Sequence, residues 1–189
     1  MPVSPTLFIG LGEFGSTLST FNHESFNTDY ASLSKLHASL NFNGEITFTT
    51  AKNPSKEIGF IDVLKQNSFK ENFNRLNKDI SRLKSAIQDG IEYVINSFNA
   101  KEITSADLEV SKKKKVIIYF SLGDTVSSVS IQKTIELITN SRNSNFLELY
   151  LVCINYDLLD EDEKRAYACL SELDHYLSTN SSVYSFTIL

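Results

Sequence analysis

Three glycines near the start of the chain have the spacing of a phosphate-binding turn. Gly10, Gly12 and Gly15 form the pattern G-x-G-x-x-G, after an apolar run at residues 6–10 and at the start of a predicted helix, residues 13–21. In such a unit the glycines allow a tight turn, and the helix N-terminus presents free N–H groups to a phosphate. Glu13 and Ser16 complete this candidate loop. The structural alternative is a glycine turn that only lets strand and helix pack closely, with no ligand.

A second candidate loop follows the apolar run at residues 116–120. It begins Ser121-Leu122-Gly123-Asp124-Thr125, and a helix is predicted over residues 127–139. The carboxyl ends of parallel strands meet at one edge of a sheet, where α/β proteins bind their ligands. We therefore expect both loops at this edge. The candidate binding residues of the second loop are Gly123, Asp124, Thr125, Ser127 and Ser128.

A nicotinamide dinucleotide site would need an additional acidic residue. That residue ends the second strand, about 20 residues after the glycines, and holds the ribose. Asp29 lies at a plausible distance, but no strand is predicted before it, and Asp62 lies too far along the chain. An NAD(P)- or flavin-binding Rossmann oxidoreductase is therefore ranked below the functions that follow.

The remaining pattern predicts strands that alternate with helices in a single domain, residues 1–189. At least three strands are apolar throughout, which is typical of parallel strands covered on both faces. The predicted fold class is α/β, a doubly wound and mostly parallel sheet with helices on both faces, as in a three-layer sandwich. The further predicted strands are residues 45–50, 58–63, 146–154 and 182–189, and the further helices are residues 31–40 and 160–177.

A long amphipathic helix is predicted over residues 65–99. Its apolar residues, from Phe69 to Phe98, recur at steps of three and four, the period of a straight α-helix. We expect a weak point at Gly90. The apolar face is expected to cover the sheet, and a partner-binding face is the alternative.

Composition excludes several classes of protein. The net charge of −5 and the pI of about 5.2 argue against a nucleic-acid binder, because such proteins present a basic surface. No apolar run reaches the length of about 18 residues that a membrane span needs, and no signal peptide is visible. We expect a cytoplasmic protein with Cys153 and Cys169 as buried free thiols and with no metal site. The basic run at residues 112–115 is expected to be a solvated lead-in to a strand.

Three segments resemble bacterial tubulin-like proteins of the tubulin superfamily. The first is PTLFIGLG, residues 5–12, which is similar to their opening strand and loop. The second is SLGDTVSS, residues 121–128, which is similar in position to their phosphate loop, Gly-Gly-Thr-Gly-Ser-Gly. The third is EKRAYACLSELDHY, residues 163–176, which resembles a helix with Arg, Ala-Tyr-Ala-x-Leu-x-Glu-Leu. Residues 22–110 are essentially unmatched.

The second loop departs from the family's pattern at three glycines. Asp124 replaces one of them and places a carboxylate where a nucleotide phosphate would lie. Val126 and Ser128 replace two more and add Cβ atoms where phosphate oxygens approach backbone N–H groups. Glu13 adds a carboxylate to the first loop. The family also has a second domain that completes hydrolysis. Because the printed sequence stops before such a domain, we expect either a cut-down relative or a fragment of a longer chain.

The resemblance and its departures together predict a degenerate tubulin-like domain. It would act as a non-hydrolysing assembly or scaffold subunit in a bacterial multiprotein system, such as a defence system, through a protein partner or self-association. No cofactor is expected for this function. The alternative is a GTP-binding switch that uses Mg²⁺ and hydrolyses GTP only weakly or with a partner subunit. Whether the chain is an enzyme therefore stays open, with the departures favouring no activity.

Overall fold

The computed structural model describes residues 4–29, 35–51, 53, 55–61, 63, 69–97, 113–154, 160–179 and 183–188. These residues form a seven-stranded sheet and five α-helices. The strands are β1 Thr6–Leu11, β2 His37–Asn43, β3 Glu45–Thr50, β4 Lys56–Phe60, β5 Lys114–Ser121, β6 Leu147–Ile154 and β7 Val183–Ile188. The helices are α1 Gly12–Asp29, α2 Phe69–Lys78, α3 Ile80–Asn96, α4 Thr125–Thr139 and α5 Asp160–Thr179.

The sheet has the order β4-β3-β2-β1-β5-β6-β7. The pairs β2–β1, β1–β5, β5–β6 and β6–β7 are parallel, whereas β3 is antiparallel to both of its neighbours. The predicted α/β class with a mostly parallel sheet is confirmed. The reversal at β3 follows from a one-residue connection, since Gly44 has a φ of +81°, which glycine adopts without strain.

Helices cover both faces of this sheet. On one face, the Phe26 ring of α1 lies 5.7 Å from the Phe8 ring of β1. Leu7, the preceding residue of β1, faces the other side, where its methyl groups lie against Gly90 of α3. Helices α2 and α3 lie on that second face with α4, and α5 packs on α4. The first loop of interest leads from β1 into α1 on one face, and the second leads from β5 into α4 on the other.

The prediction of a helix at residues 31–40 is wrong for residues 37–40, which belong to β2. His37 begins β2, and residues 30–34 lie outside the described residues. Ala38, Leu40 and Phe42 are fully buried, and β2 pairs with β1 on one side and β3 on the other. Sheet pairing in the centre of the fold therefore outweighs the weak helical preference of this segment.

The predicted long helix at residues 65–99 is two helices. The break lies at Asp79 (φ −119°, ψ 32°), between α2 and α3, and not at Gly90. Gly90 is an interior residue of α3, where a side chain would press on Leu7. The expectation that the apolar stripe covers the sheet is confirmed for α3, which packs on β1, β2 and β3 and buries Leu83, Ile87, Ile91 and Val94. Helix α2 packs on α4, with Leu76 buried and with Phe69 and Phe73 only partly buried.

The lysine run is not uniformly solvated, contrary to expectation. Lys114 belongs to β5 and is only 4% exposed, so burial lowers the pKa of its ammonium group. Lys115 places its Nζ 5.6 Å from the centre of the Tyr150 ring.

Cys153 and Cys169 are buried free thiols, as predicted. Burial raises their pKa to about 11 and about 12, so neither is a reactive thiolate at neutral pH.

The layer between α1 and β2 is polar and buried. His23 of α1 and His37 of β2 are 2% and 1% exposed. His37 lies 4.9 Å from the Phe26 ring, and neither of its ring nitrogens has a hydrogen-bond partner among the described residues. Burial, and then the proximity of His23, lowers the pKa of His37 to about 4. Burial also lowers the pKa of His23. A hydrogen bond with the His37 backbone and the negative charge of Glu24 raise this pKa and oppose the effect of burial.

These histidines should make the fold sensitive to acid. The His37 pKa is about 4 in the folded state against 6.5 for the free side chain, so its contribution to stability is complete above pH 6.5 and lost as the pH falls towards 4. We expect its protonation alone to lower the free energy of unfolding by about 2 kcal/mol at pH 5, relative to neutral pH. Urea unfolding at a series of pH values measures this loss.

The matched variants for this measurement are His37→Phe and His175→Gln. His37→Phe removes the buried titration and should flatten the dependence of unfolding free energy on pH. His175→Gln, at an exposed position, should leave it as in the wild type. An equally steep pH dependence in His37→Phe and wild type would contradict this assignment.

Candidate functional site

The two predicted loops meet at the carboxyl edge of the sheet. β1 and β5 are parallel neighbours in which Gly10 lies beside Tyr119, so the residues that follow them are adjacent in space. The Ser127 hydroxyl donates a hydrogen bond of 2.6 Å to the Leu11 carbonyl, which joins the start of α4 to the first loop. The Ser121 N–H donates to the same hydroxyl at 3.3 Å. Ser127 therefore ties both loops together.

Asp124 caps the N-terminus of α4 with its own carboxylate. Its backbone is extended (φ −80°, ψ 131°), and its Oδ1 accepts a hydrogen bond of 2.8 Å from the Ser127 N–H. An N-cap side chain of this kind satisfies a helix N–H that has no partner within the helix. In a nucleotide-binding loop, such an N–H group would bind a phosphate oxygen.

Gly12 completes the arrangement from the opposite side. It has a φ of +71°, in the region that favours glycine. A Cβ at this position would overlap the Asp124 carboxylate and would lie 2.6 Å from the Ser127 hydroxyl oxygen. The space that the second glycine of a dinucleotide fingerprint leaves for a pyrophosphate is therefore filled here by Asp124 and Ser127. We call Gly12, Asp124 and Ser127 the closed loop contact.

The other two glycines serve close packing of the backbone. A Cβ on Gly10 would lie 2.6 Å from the Ser16 backbone nitrogen. A Cβ on Gly15 would overlap the Tyr119 carbonyl oxygen of β5. Both positions therefore need glycine so that α1 can lie against β1 and β5. This is the role that the structural alternative of the sequence motif predicts.

The remaining candidate residues differ in their exposure to solvent. Glu13 is exposed, and Ser16 and Gly123 are partly buried. Ser16 borders an open surface depression along α1 with Thr17, Thr20, Phe21 and Glu24. Thr125 and Ser128 are 6% and 4% exposed, and the Ser128 hydroxyl donates 3.2 Å to the Thr125 carbonyl. The closed loop contact thus brings together three of the ten predicted residues.

The geometry at β2 does not favour a dinucleotide. Asp29 is the last residue of α1, which starts at the carboxyl edge and runs back along the sheet, so it lies at the edge away from the loops. The second strand ends in Asn43 rather than an acid, and Glu45 follows only after the turn at Gly44. The ribose-binding acid is therefore not at the position where the fingerprint needs it.

The sequence pattern places Asp124 and Ser127 in one loop but does not predict the hydrogen bond between them. The signal was present, because Asp124-x-x-Ser127 is the spacing of an N-cap side chain and the N–H group it binds. The Leu11 carbonyl had no signal of its own, because it is a backbone group that only the packing of β1 against β5 brings near Ser127.

Comparison with protein-family models, curated proteins and solved structures gives no match. The resemblance to tubulin-like proteins therefore stays a prediction. None of the described helices combines the length and apolarity that crossing a membrane requires.

The carboxylate of Asp124 should contribute measurably to stability. We expect Asp124→Ala to lower the free energy of unfolding by about 1 kcal/mol, because it leaves the Ser127 N–H without its cap. Asp124→Asn keeps an acceptor oxygen of the same size and should lose much less. Urea unfolding of both variants measures the difference. Equal losses in the two variants, or no loss in either, would contradict the capping role.

Proposed function

We propose that the chain is a non-hydrolysing assembly or scaffold subunit of a multiprotein system, built on a nucleotide-binding type of α/β fold. The observation that carries the proposal is the closed loop contact. The chain's own carboxylate takes the helix N–H of Ser127 and the space above Gly12. The resemblance to tubulin-like proteins is the basis for the proposed class of subunit. The closed loop contact is the basis for the proposed loss of nucleotide binding.

The charge of Asp124 opposes a bound phosphate. Two like charges about 4 Å apart repel by about 1 kcal/mol in water and by several kcal/mol near a protein surface. A phosphate on the Ser127 N–H would also displace the 2.8 Å hydrogen bond from Asp124. Binding would therefore begin with the loss of an interaction that the folded protein already has.

Ser127 makes opening of the loops costly as well. Its hydroxyl proton is donated to the Leu11 carbonyl, and the residue is fully buried. Use of this hydroxyl for a phosphate would leave the Leu11 carbonyl without that donor in a buried place, a loss of about 1–3 kcal/mol. These hydrogen bonds hold the two loops together.

The apolar stripe of α3 is not available to a protein partner, because Leu83, Ile87 and Ile91 are each at most 1% exposed. Phe69 and Phe73 of α2 are only partly buried. Large apolar side chains are instead exposed on several other elements of the described chain. They are Phe14, Phe21, Phe26, Phe60, Phe146, Tyr167, Tyr184 and Ile188.

The proposal predicts that the purified protein carries no nucleotide. Denaturing extraction followed by chromatography should release no GTP or GDP. Calorimetric titration with GTP and Mg²⁺ should show no binding up to millimolar concentrations. Co-purified nucleotide or micromolar affinity would instead establish the alternative, a GTP-binding switch with Mg²⁺.

Removal of the Asp124 side chain should reopen the site. We expect Asp124→Gly to bind inorganic phosphate or GTP measurably better than the wild type, because it frees both the Ser127 N–H and the space above Gly12. Glu13→Gln is the matched control, since it removes one negative charge from the first loop without opening that space. Calorimetric titration compares the variants. Equal gains in both would assign the effect to net charge rather than to the closed loop contact.

A further inference from the structure

Side chains of neighbouring strands form rows across the sheet, and these rows show how well each face is covered. On the face of α3, Leu7, Val116 and Leu149 share one row, and each is at most 2% exposed. Leu7 identifies this face, because its methyl groups lie against Gly90 of α3. The face of α3 is therefore buried as far as β6.

The face of α1 becomes more exposed from β1 towards β7. Phe8 of β1 identifies this face, because its ring lies 5.7 Å from the Phe26 ring of α1. The row two residues further along β1 consists of buried Gly10 and Tyr119, partly buried Val152 and exposed Thr187. Among the described helices only α1 lies on this face, and it packs on β2, β1 and β5. The described part of the chain therefore leaves this side of β6 and β7 uncovered.

The uncovered surface is apolar and aromatic. It consists of Ile117, Tyr150, Val152, Tyr184 and Thr187, and we call it the open face. Tyr150 lies in the row of Phe8, and the Tyr184 ring lies 5.1 Å from the Tyr150 ring. Tyr184 is 66% exposed. None of the five side chains is charged, which is typical of a surface that another element covers.

Helix α1 forms one wall beside the open face. The Thr20 hydroxyl accepts a hydrogen bond from Asn41 of β2 and so marks the flank that faces β2. Because successive helical residues are about 100° apart, Leu18 lies on the opposite flank, towards β5 and β6. Phe14 and Phe21 extend that flank and are 47% and 64% exposed. The wall and the open face together form an apolar groove.

The charged groups of the groove lie at the amino ends of β5 and β6. Lys115 and Glu148 share a row on the face of α1, and the Lys113 ammonium group lies 3.6 Å from the Glu148 carboxylate. Glu13 and Glu24 lie on the other flank of α1, by the same helical spacing. This end of the groove is therefore positively charged in a chain with a net charge of −5, and it favours an acidic group.

The spacing of helices and strands favours a helix as the occupant. Packed helices lie about 8–10 Å apart, and neighbouring strands lie about 4.8 Å apart. Helix α1 packs on three adjacent strands with β1 in the middle. A helix beside α1 therefore lies two strands further on, over β6. Mostly parallel sheets are usually covered by helices on both faces.

We propose that the groove between α1 and the open face binds an amphipathic helix of a partner protein. The helix places an apolar stripe on the open face and an acidic residue at the end over Lys113 and Lys115. This inference rests on the proposed function, because it gives the chemistry of the assembly subunit's partner. A second copy of the chain is disfavoured, because each copy has a net charge of −5.

Selection from a library of yeast-displayed peptides tests the inference, with the full chain as the target. The eight residues of β6 span about 26 Å, which a helical peptide of about 18 residues matches. Apolar, acidic, basic and neutral polar residues are mixed at every position. We expect the enriched peptides to have apolar residues at helical spacing and an acidic residue at one end. Enriched peptides with strand-like alternation, or with basic ends, would contradict the proposal.

Thr187→Asp and Ile188→Asp are the matched variants that locate the binding site. Both residues are exposed on β7, but Thr187 pairs with Val152 on the face of α1, and Ile188 pairs with Cys153 on the other face. Thr187→Asp should raise the peptide dissociation constant at least about tenfold, because a carboxylate is placed against an apolar stripe. Ile188→Asp should leave it unchanged, and circular dichroism checks that both variants fold. Equal effects, or no effect of Thr187→Asp, would overturn the inference.

Lys115→Glu tests the charged end of the groove. It should weaken binding of the enriched peptides several-fold, because it replaces an attractive charge with a repulsive one. The control peptides have glutamine in place of the acidic residue, and they should bind the variant and the wild type alike. Equal weakening of both kinds of peptide would contradict the charged contact.

The outcome is separable from that of the proposed function. Peptide binding at the open face of a chain that also binds GTP would refute the scaffold proposal and keep the groove as a binding surface. A chain that binds neither GTP nor a peptide at the open face would refute the groove and keep the closed loop contact. A wild-type dimer in sedimentation velocity that Thr187→Asp converts to a monomer would assign the open face to a second copy and overturn the inference.

Discussion

The hydrogen bond from the Ser127 N–H to the Asp124 carboxylate is the interaction on which the site depends. It satisfies the N-terminus of α4, fills the space above Gly12, and leaves the Ser127 hydroxyl directed at the Leu11 carbonyl. In a nucleotide-binding protein of this architecture, a phosphate would supply the negative charge at this place. Here the Asp124 carboxylate lies at this place and accepts the hydrogen bond of the Ser127 N–H.

The two faces of the sheet differ in the polarity of their interfaces with the helices. The face covered by α2, α3 and α4 is apolar, with Leu7, Ile9 and Ile118 buried in a continuous core. The interface between α1 and β2 is polar, and the side chains of Ser19, His37 and Ser39 lack hydrogen-bond partners among the described residues. Unpaired buried polar atoms are costly, and the hydrogen bond of 2.9 Å from the Asn41 amide to the Thr20 hydroxyl offsets part of this cost. The tight glycine contacts at Gly10 and Gly15 are what hold the start of α1 against the sheet.

Most of the architecture could be predicted from the sequence, because the buried parallel strands are continuous apolar runs and α3 has a strong helical period. The start of β2 could not be predicted from the sequence. Residues 37–40 form a short segment without a distinctive pattern, and they form a strand only through pairing with β1 and β3. The break at Asp79 was missed because the apolar stripe continues across it. The glycine motif was predicted as a ligand loop, and the direct contact of Gly12 with Asp124, 112 residues further along the chain, is a tertiary feature that no local pattern carries. The relation to tubulin-like proteins stays a prediction.

A crystal structure of the protein grown with millimolar GTP and Mg²⁺ tests the central claim most directly. The account predicts that Asp124 Oδ1 remains within hydrogen-bond distance of the Ser127 nitrogen, and that no phosphate lies above Gly12. A phosphate oxygen bound to the Ser127 N–H, with the Asp124 side chain turned away, would contradict it.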